Sequence, residues 1–271
     1  MINFIDKTHN SKLNGLKTYR NDMYNILMPY LESKIKEDNI IFTDKLLKKV
    51  DYYKYKNLQK IVRVLHNHSR QNISKNIIYS DVKHIFITHY DYFLDYMEDC
   101  NENMNIMFIP MSIDISNLPK PKENKQPKVL YYQNLRRSKQ DTYNKLKQFI
   151  DFDILSYGSF NDDKKQRTHE QCLDIVNDYE IVITVGRGAL EAVGMGCKVL
   201  NAGINYSGAI HNQEQFDKYH RCNFNTHYQN KLTKNQINDD ISLLKDKNVI
   251  INTEKIDMNN YLDYYLQSCY L

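Results

Sequence analysis

Short runs of β-branched and aliphatic residues alternate along this chain with longer stretches whose apolar side chains return every three or four positions. That alternation is the pattern of strands followed by helices. Residues 2–5, 39–43, 60–65 (KIVRVL), 83–88 (KHIFIT) and 106–109 read as strands in the first part of the chain. Leu16, Tyr19, Met23, Ile26 and Leu27 recur at helical spacing as far as Pro29, which interrupts that helix or opens its next turn. Residues 89–97 read as a further helix. Later, 129–132 and 153–155 read as strands on either side of a helix at 141–150. Residues 170–178 form an amphipathic helix, and helices are expected at 213–220, 234–245 and 259–267. One segment breaks the alternation: 117–127 (NLPKPKENKQP) holds three of the five prolines, interleaved with Lys and Glu and lacking an apolar stripe. That is linker composition.

The expected fold class is therefore α/β, with two Rossmann-like parallel-sheet domains facing across a cleft. The expected organisation is an N-terminal domain over 1–116, a linker over 117–127, a second domain over 128–252 and a C-terminal helix over 253–271. Parallel sheets bind ligands off the carboxyl ends of their strands. The conspicuous polar clusters all follow strands: Asn14-Gly15, His66 and His68, His89, the NLRRSK loop and a Gly-Arg-Gly turn.

The most informative stretch is 181–203, IVITVGRGALEAVGMGCKVLNAG. Ile181, Val182, Ile183 and Val185 form a buried strand too short for a helix, and Gly186 and Gly188 bound it. Ala189, Leu190, Ala192 and Val193 favour a helix, and residues 197–200 return to strand. Such a turn presents backbone N–H groups at Gly186, Gly188 and Ala189 to an anion, and Arg187 adds a guanidinium fork. Glu191, in the first turn, suits a hydroxyl group such as that of a ribose. Together these residues predict a nucleotide-sugar site. The simpler reading is a βαβ unit whose glycines only permit close packing.

Composition narrows the classes. The chain has 271 residues, 41% hydrophobic and 26% charged, with a formal net charge of +4. It is long enough for two domains and too weakly basic to indicate nucleic acid by itself. Five widely spaced cysteines without a CxxC pair argue for reduced thiols in a cytoplasmic compartment, and against a zinc site or a disulfide framework. The first ten residues lack the apolar core of a signal peptide, and no run approaches the ~18 apolar residues of a membrane span.

From the N-terminus to about residue 208 the chain resembles glycosyltransferases of the GT-B type. It is most similar to the retaining family that includes bacterial polysaccharide and sucrose-type enzymes. The residues that carry the resemblance are the run Asn14-Gly15-Leu16-Lys17-Thr18-Tyr19, the strand at 60–65 with His66 and His68 beyond it, and residues 109–113. The loop 133–140 and the motif GRGALEAVGMGCKVL complete them. The resemblance implies that Gly15 approaches the donor phosphates, and that an Arg and a Lys of loop 133–140 hold the departing diphosphate. Lys139 matches the lysine. Asn134 stands where the arginine belongs, so Arg136 or Arg137 takes its place. Of the family's two carboxylates eight positions apart, Glu191 matches the second and Ile183 stands at the first, a departure that leaves Arg187 to contact the sugar or diphosphate.

The expected activity is metal-independent transfer of a sugar from a nucleotide-sugar, a UDP-hexose, to an acceptor hydroxyl. The acceptor is a glycan, a protein or a modified DNA base. Lys139, Arg136 or Arg137, and Arg187 would neutralise the leaving diphosphate, the largest available effect. His68 and His66 would bond the sugar or its phosphate. No bound cofactor or metal is required, since fixed cations do the neutralising. An inverting course would need a carboxylate base from the first domain, where Asp6 is the positional candidate. Two alternatives remain: a catalytically silent nucleotide-sugar-binding protein, suggested by Ile183 and Asn134, and a nucleotide-sugar epimerase.

Overall fold

The apolar runs pair into two sheets. The computed structural model describes residues 3–4, 19, 21–36, 40–43, 58–65, 82–92, 94–95, 104–134, 137–155, 167–224, 232–246 and 248–271. Among them the chain divides into two compact units. One comprises β1 (Asn3–Phe4), Asn21–Pro110 and Met258–Leu271; the other comprises Met111–Asp257. The units therefore change over at Pro110 and again at Asp257, and the chain's last helix belongs with the first unit.

The first unit carries β1, β2 (Ile40–Thr43), β3 (Lys60–Leu65), β4 (Lys83–Thr88) and β5 (Met104–Phe108), all parallel and adjacent in chain order. All four residues of β2 are buried, and so are five of the six in β4. This is the near-continuous apolar run of a parallel sheet covered on both faces. Helix α1 (Met28–Lys34) follows a wide turn, Met23–Leu27, in which the Met28 N–H reaches back to Met23 O. Pro29, which has no N–H to satisfy, sits in the first turn of α1 and does not end the helix. The C-terminal helix packs on this sheet: the Tyr265 ring meets Phe42 edge-on, and Lys60 Nζ donates to Cys269 O at 2.6 Å.

The second unit has β6 (Gln126–Tyr132), α2 (Gln140–Phe149), β7 (Asp153–Leu155), α3 (His169–Val176), β8 (Tyr179–Thr184) and α4 (Arg187–Gly194). These are followed by β9 (Lys198–Ala202), β10 (Tyr206–Ile210), α5 (Gln213–His220) and α6 (Lys234–Asp246). The strand order is β10-β9-β8-β6-β7, parallel except for β10. One face buries Val129, Tyr131, Ile181, Ile183, Leu200 and Ala202 against α2 and α6. The alternate residues, Leu130, Tyr132, Val182 and Thr184, face the other way. Helix α7 (Leu262–Tyr270), in the first unit, ends the chain.

Residues 117–127, expected as a linker, are part of the second unit. Asn177 binds them in place: its Nδ2 donates to Lys120 O at 2.8 Å, and its Oδ1 accepts from Lys125 Nζ at 2.8 Å. Gly194 packs against the segment: a Cβ there would lie 2.4 Å from Leu118 Cδ1, so the end of the Leu118 side chain would have to turn. Pro-rich composition and a packed course are compatible when another element supplies the hydrogen bonds. Strand β10 falls outside the sequence expectation altogether, since Ser207 and Gly208 break its apolar run at a bulge where Gly208 has φ 106°. Among the described residues no helix is long and apolar enough to cross a membrane. None of Cys172, Cys197, Cys222 and Cys269 forms a disulfide, and all four are buried.

Acid should weaken the second unit in two steps. Burial pushes the His220 imidazole below its ordinary 6.5, partly offset by the Met111 carbonyl, which accepts from Nε2 at 2.6 Å. The unfolded chain takes up a proton near 6.5 that the folded chain refuses. Stability is therefore complete above that pH and declines as pH falls below it. Thermal unfolding at pH 7.5 and 5.5 is expected to show a lower midpoint at 5.5, with the difference reduced in His220→Gln. Equal slopes in the two proteins would contradict this. The second step involves the candidate site.

Candidate functional site

Helices that join parallel strands run antiparallel to them, so the N-termini of α3 and α4 lie at the same edge of the sheet as the carboxyl ends of β6 and β8. Between β6 and β8 the strand order reverses: β7 lies on one side of β6, and β8, β9 and β10 on the other. Such a reversal leaves a crevice where the two loops part, and ligands of open α/β sheets bind there. The loop after β6 holds Gln133, Asn134, Arg137 and Lys139, and the turn after β8 holds Gly186, Arg187 and Gly188. The fold thus brings together the two segments singled out in the sequence.

Backbone requirements explain the glycines. Gly186 has φ 59°, which side chains rarely adopt, and it stands as the N-cap of α4 without a side-chain cap. Gly188 lies so close to β8 that a Cβ would meet Thr184 Oγ1 at 2.4 Å and the Tyr132 ring at 3.4 Å. Gly188→Ala is expected to lower stability by about 1–3 kcal/mol through overpacking, against about 1 kcal/mol of gained helix propensity. Thermal denaturation checks this, and an unchanged midpoint would mean that the contact relaxes freely. The 221–224 turn adds a neighbour that the sequence does not announce. Asn223 and Phe224 both have positive φ, and Asn223 faces Gly186.

Four side chains meet on the α4 side of the sheet. Glu191 Oε1 accepts from Arg187 Nε at 2.6 Å and from His169 Nε2 at 2.9 Å, while Oε2 accepts from the Tyr132 hydroxyl at 3.1 Å. Glu191 is 2% exposed and the Arg187 side chain 8%, whereas the His169 side chain is 25% exposed. Three accepted bonds fill most of a carboxylate's capacity. In this structure Glu191, expected as a ribose acceptor, anchors Arg187 and His169. Burial pushes its carboxyl up, but the Arg187 charge and the bonds from His169 and Arg187 outweigh burial and hold it below the ordinary 4.5. Its contribution to stability is complete above pH 4.5 and is lost as pH falls through the lower folded value, the second acid step.

On the other flank Lys139 closes a short 3₁₀ turn, Arg137–Lys139, before α2. Its Nζ donates to Gln133 Oε1 at 2.7 Å, and Gln133 Nε2 donates to Ala202 O at 2.7 Å, which ties the loop to β9. Arg137 is exposed and Asn134 half-buried. Thr184 Oγ1, Asn134 Oδ1 and the Asn201 amide have no partner among the described residues, so this edge is polar beneath α4.

Asn134, Arg137 and Lys139 lie on the loop after β6, and Gly186, Arg187, Gly188, Ala189 and Glu191 lie on the turn and helix after β8. Gly15, His66, His68, Arg136 and Asp6 lie outside the described residues. His89 is a core histidine whose Nδ1 bonds Ile109 O at 2.8 Å. Ile183 is fully buried on the face opposite α4, in the apolar core, so no carboxylate is presented from that position. Sequence reasoning does not reach Tyr132, Gln133 or His169. The one sequence signal for His169 is the capping box Thr168-His169-Glu170-Gln171, which starts α3 one residue earlier than its apolar stripe. No protein-family model and no curated protein matches the chain.

Proposed function

We propose that the protein is a metal-independent glycosyltransferase. On this reading the second unit holds a nucleotide-sugar, a UDP-hexose, and the first serves the acceptor, the division of labour of a GT-B enzyme. The observation that carries the reading is the reversal of strand order between β6 and β8, flanked by a lysine loop on one side and an arginine-bearing glycine turn on the other. As the bond between the anomeric carbon and the diphosphate oxygen breaks, its electron pair stays with the diphosphate. Lys139, Arg187 and the Gly188 N–H at the start of α4 stabilise that charge, and the acceptor oxygen forms the new bond as its proton passes to the departing diphosphate. The acceptor is a glycan, protein or modified DNA hydroxyl, and the reaction belongs in the cytoplasm, where nucleotide-sugars are at hand.

A UDP-hexose screen by thermal shift tests the binding half. Ligand at 100-fold its Kd stabilises the native state by about 2.7 kcal/mol. UDP release with an acceptor panel tests the chemistry. No shift with any nucleotide-sugar would defeat the proposal. One observation favours a second reading, a silent nucleotide-sugar binder: most of Glu191's acceptor capacity is already taken by Arg187, His169 and Tyr132. A thermal shift without UDP release on any acceptor would select that reading.

A further inference from the structure

We propose that Gln133 is a positioning residue: it braces the Lys139 ammonium against the end of β9, and through that lysine it governs how tightly a nucleoside diphosphate is held. What Lys139 contacts rests on the nucleotide-sugar reading; the brace rests on hydrogen bonds alone. Gln133 directly follows β6 and is only 3% exposed, so protein groups rather than water must satisfy its amide. Oε1 accepts from Lys139 Nζ at 2.7 Å, and Nε2 donates to Ala202 O, the last residue of β9, at 2.7 Å. An amide is suited to both tasks at once. A carboxylate at this position would set an oxygen against the Ala202 carbonyl.

The turn that receives this brace is itself fixed. Three residues beyond Lys139, the Thr142 hydroxyl donates to Ile204 O at 2.6 Å, so both flanks of the lysine are tied to the turn after β9. That turn closes on itself where the Gly203 N–H donates to Asn205 O at 2.8 Å. It also packs on the neighbouring strand end. A Cβ on Gly203 would lie 2.9 Å from Val185 Cγ1, and Val185 immediately precedes Gly186. A continuous path, Lys139–Gln133–Ala202–Gly203–Val185–Gly186, joins the lysine to the arginine-bearing turn. A lysine stem has many rotamers, and ordering it beforehand spares an arriving ligand that cost.

Acetylation of the folded protein with N-hydroxysuccinimidyl acetate, read by peptide mass spectrometry, tests the brace without any ligand. Lys139 should react several-fold more slowly than Lys145, which is exposed. Gln133→Met keeps an unbranched side chain of similar length and removes both bonds. It should raise the Lys139 rate several-fold and leave Lys145 unchanged. Equal rates for Lys139 and Lys145 in the wild type overturn the proposal, a result that needs no variant to fold. So does an unchanged Lys139 rate in Gln133→Met. Calorimetric titration with UDP tests the consequence. Gln133→Met and Lys139→Met should each weaken the Kd by about 10-fold, and the double variant should bind no more weakly than Lys139→Met alone. An unchanged Kd in Gln133→Met, or a double variant weakened by the product of the two single effects, also overturns the proposal. Failure of UDP to bind the wild type defeats the nucleotide-sugar reading, and the binding half of this inference with it, whatever the labelling gives.

Discussion

Glu191→Ala is expected to destabilise the second unit by about 3–5 kcal/mol, because it leaves the Arg187 guanidinium buried without its carboxylate. The Arg187 side chain is only 8% exposed, so water replaces little of the lost partner. His169 Nε2 and the Tyr132 hydroxyl lose their acceptor in the same step. For a unit of this size the melting midpoint should fall by roughly 6–20 °C. The double variant Arg187→Met with Glu191→Leu should recover much of the loss, since removing both partners of a buried pair is often close to neutral. A cycle of the two single variants and the double then gives a large coupling energy. If Glu191→Ala melted with the wild type, the pair would not be buried as described. Loss of activity in Glu191→Ala is therefore no measure of catalysis, because the variant is first a folding defect.

Lys139→Met should behave in the opposite way. The methionine keeps the apolar stem and removes the charge. The substitution breaks the hydrogen bond to Gln133, worth about 0.5–1.5 kcal/mol. If Lys139 stabilises the departing diphosphate, transfer from a UDP-hexose should slow by about 10²–10³-fold while the midpoint falls by only about 1–6 °C. Steady-state kinetics beside a melting curve separates the two effects. Turnover within about threefold of wild type would remove Lys139 from the chemistry and leave it as a loop brace.

These two residues also show how far the sequence can be read. Lys139 and the Gly-Arg-Gly turn are legible because each follows a β-branched run, and in parallel sheets the end of a strand is where function gathers. Helices α5 and α6 are legible because their apolar stripes are regular. The partners of Glu191 are not. His169 lies 22 positions away and Tyr132 lies 59 away, and only the crossover of α3 above β6 unites them. Glu191, expected in the first turn, stands in the second turn of α4 because the helix already starts at Arg187. A ribose-facing carboxylate and a buried anchor look alike in sequence, for both are a glutamate soon after a glycine turn. What separates them is burial, which depends on packing from other elements. The 117–127 segment misleads for the same reason. Its composition describes what it lacks, an apolar stripe, and says nothing of Asn177 waiting to bind it.

On the proposed function a nucleotide diphosphate sits between the loop after β6 and the turn after β8. A crystal structure of the protein with a bound UDP-hexose tests it most directly. Diphosphate oxygens are expected within hydrogen-bond reach of the Gly188 backbone N–H and of Lys139 Nζ, roughly 2.7–3.2 Å; the Ala189 N–H is already given to Gly186 O at 3.0 Å. Nucleotide bound away from those atoms, with the β6–β8 edge unchanged, would contradict it.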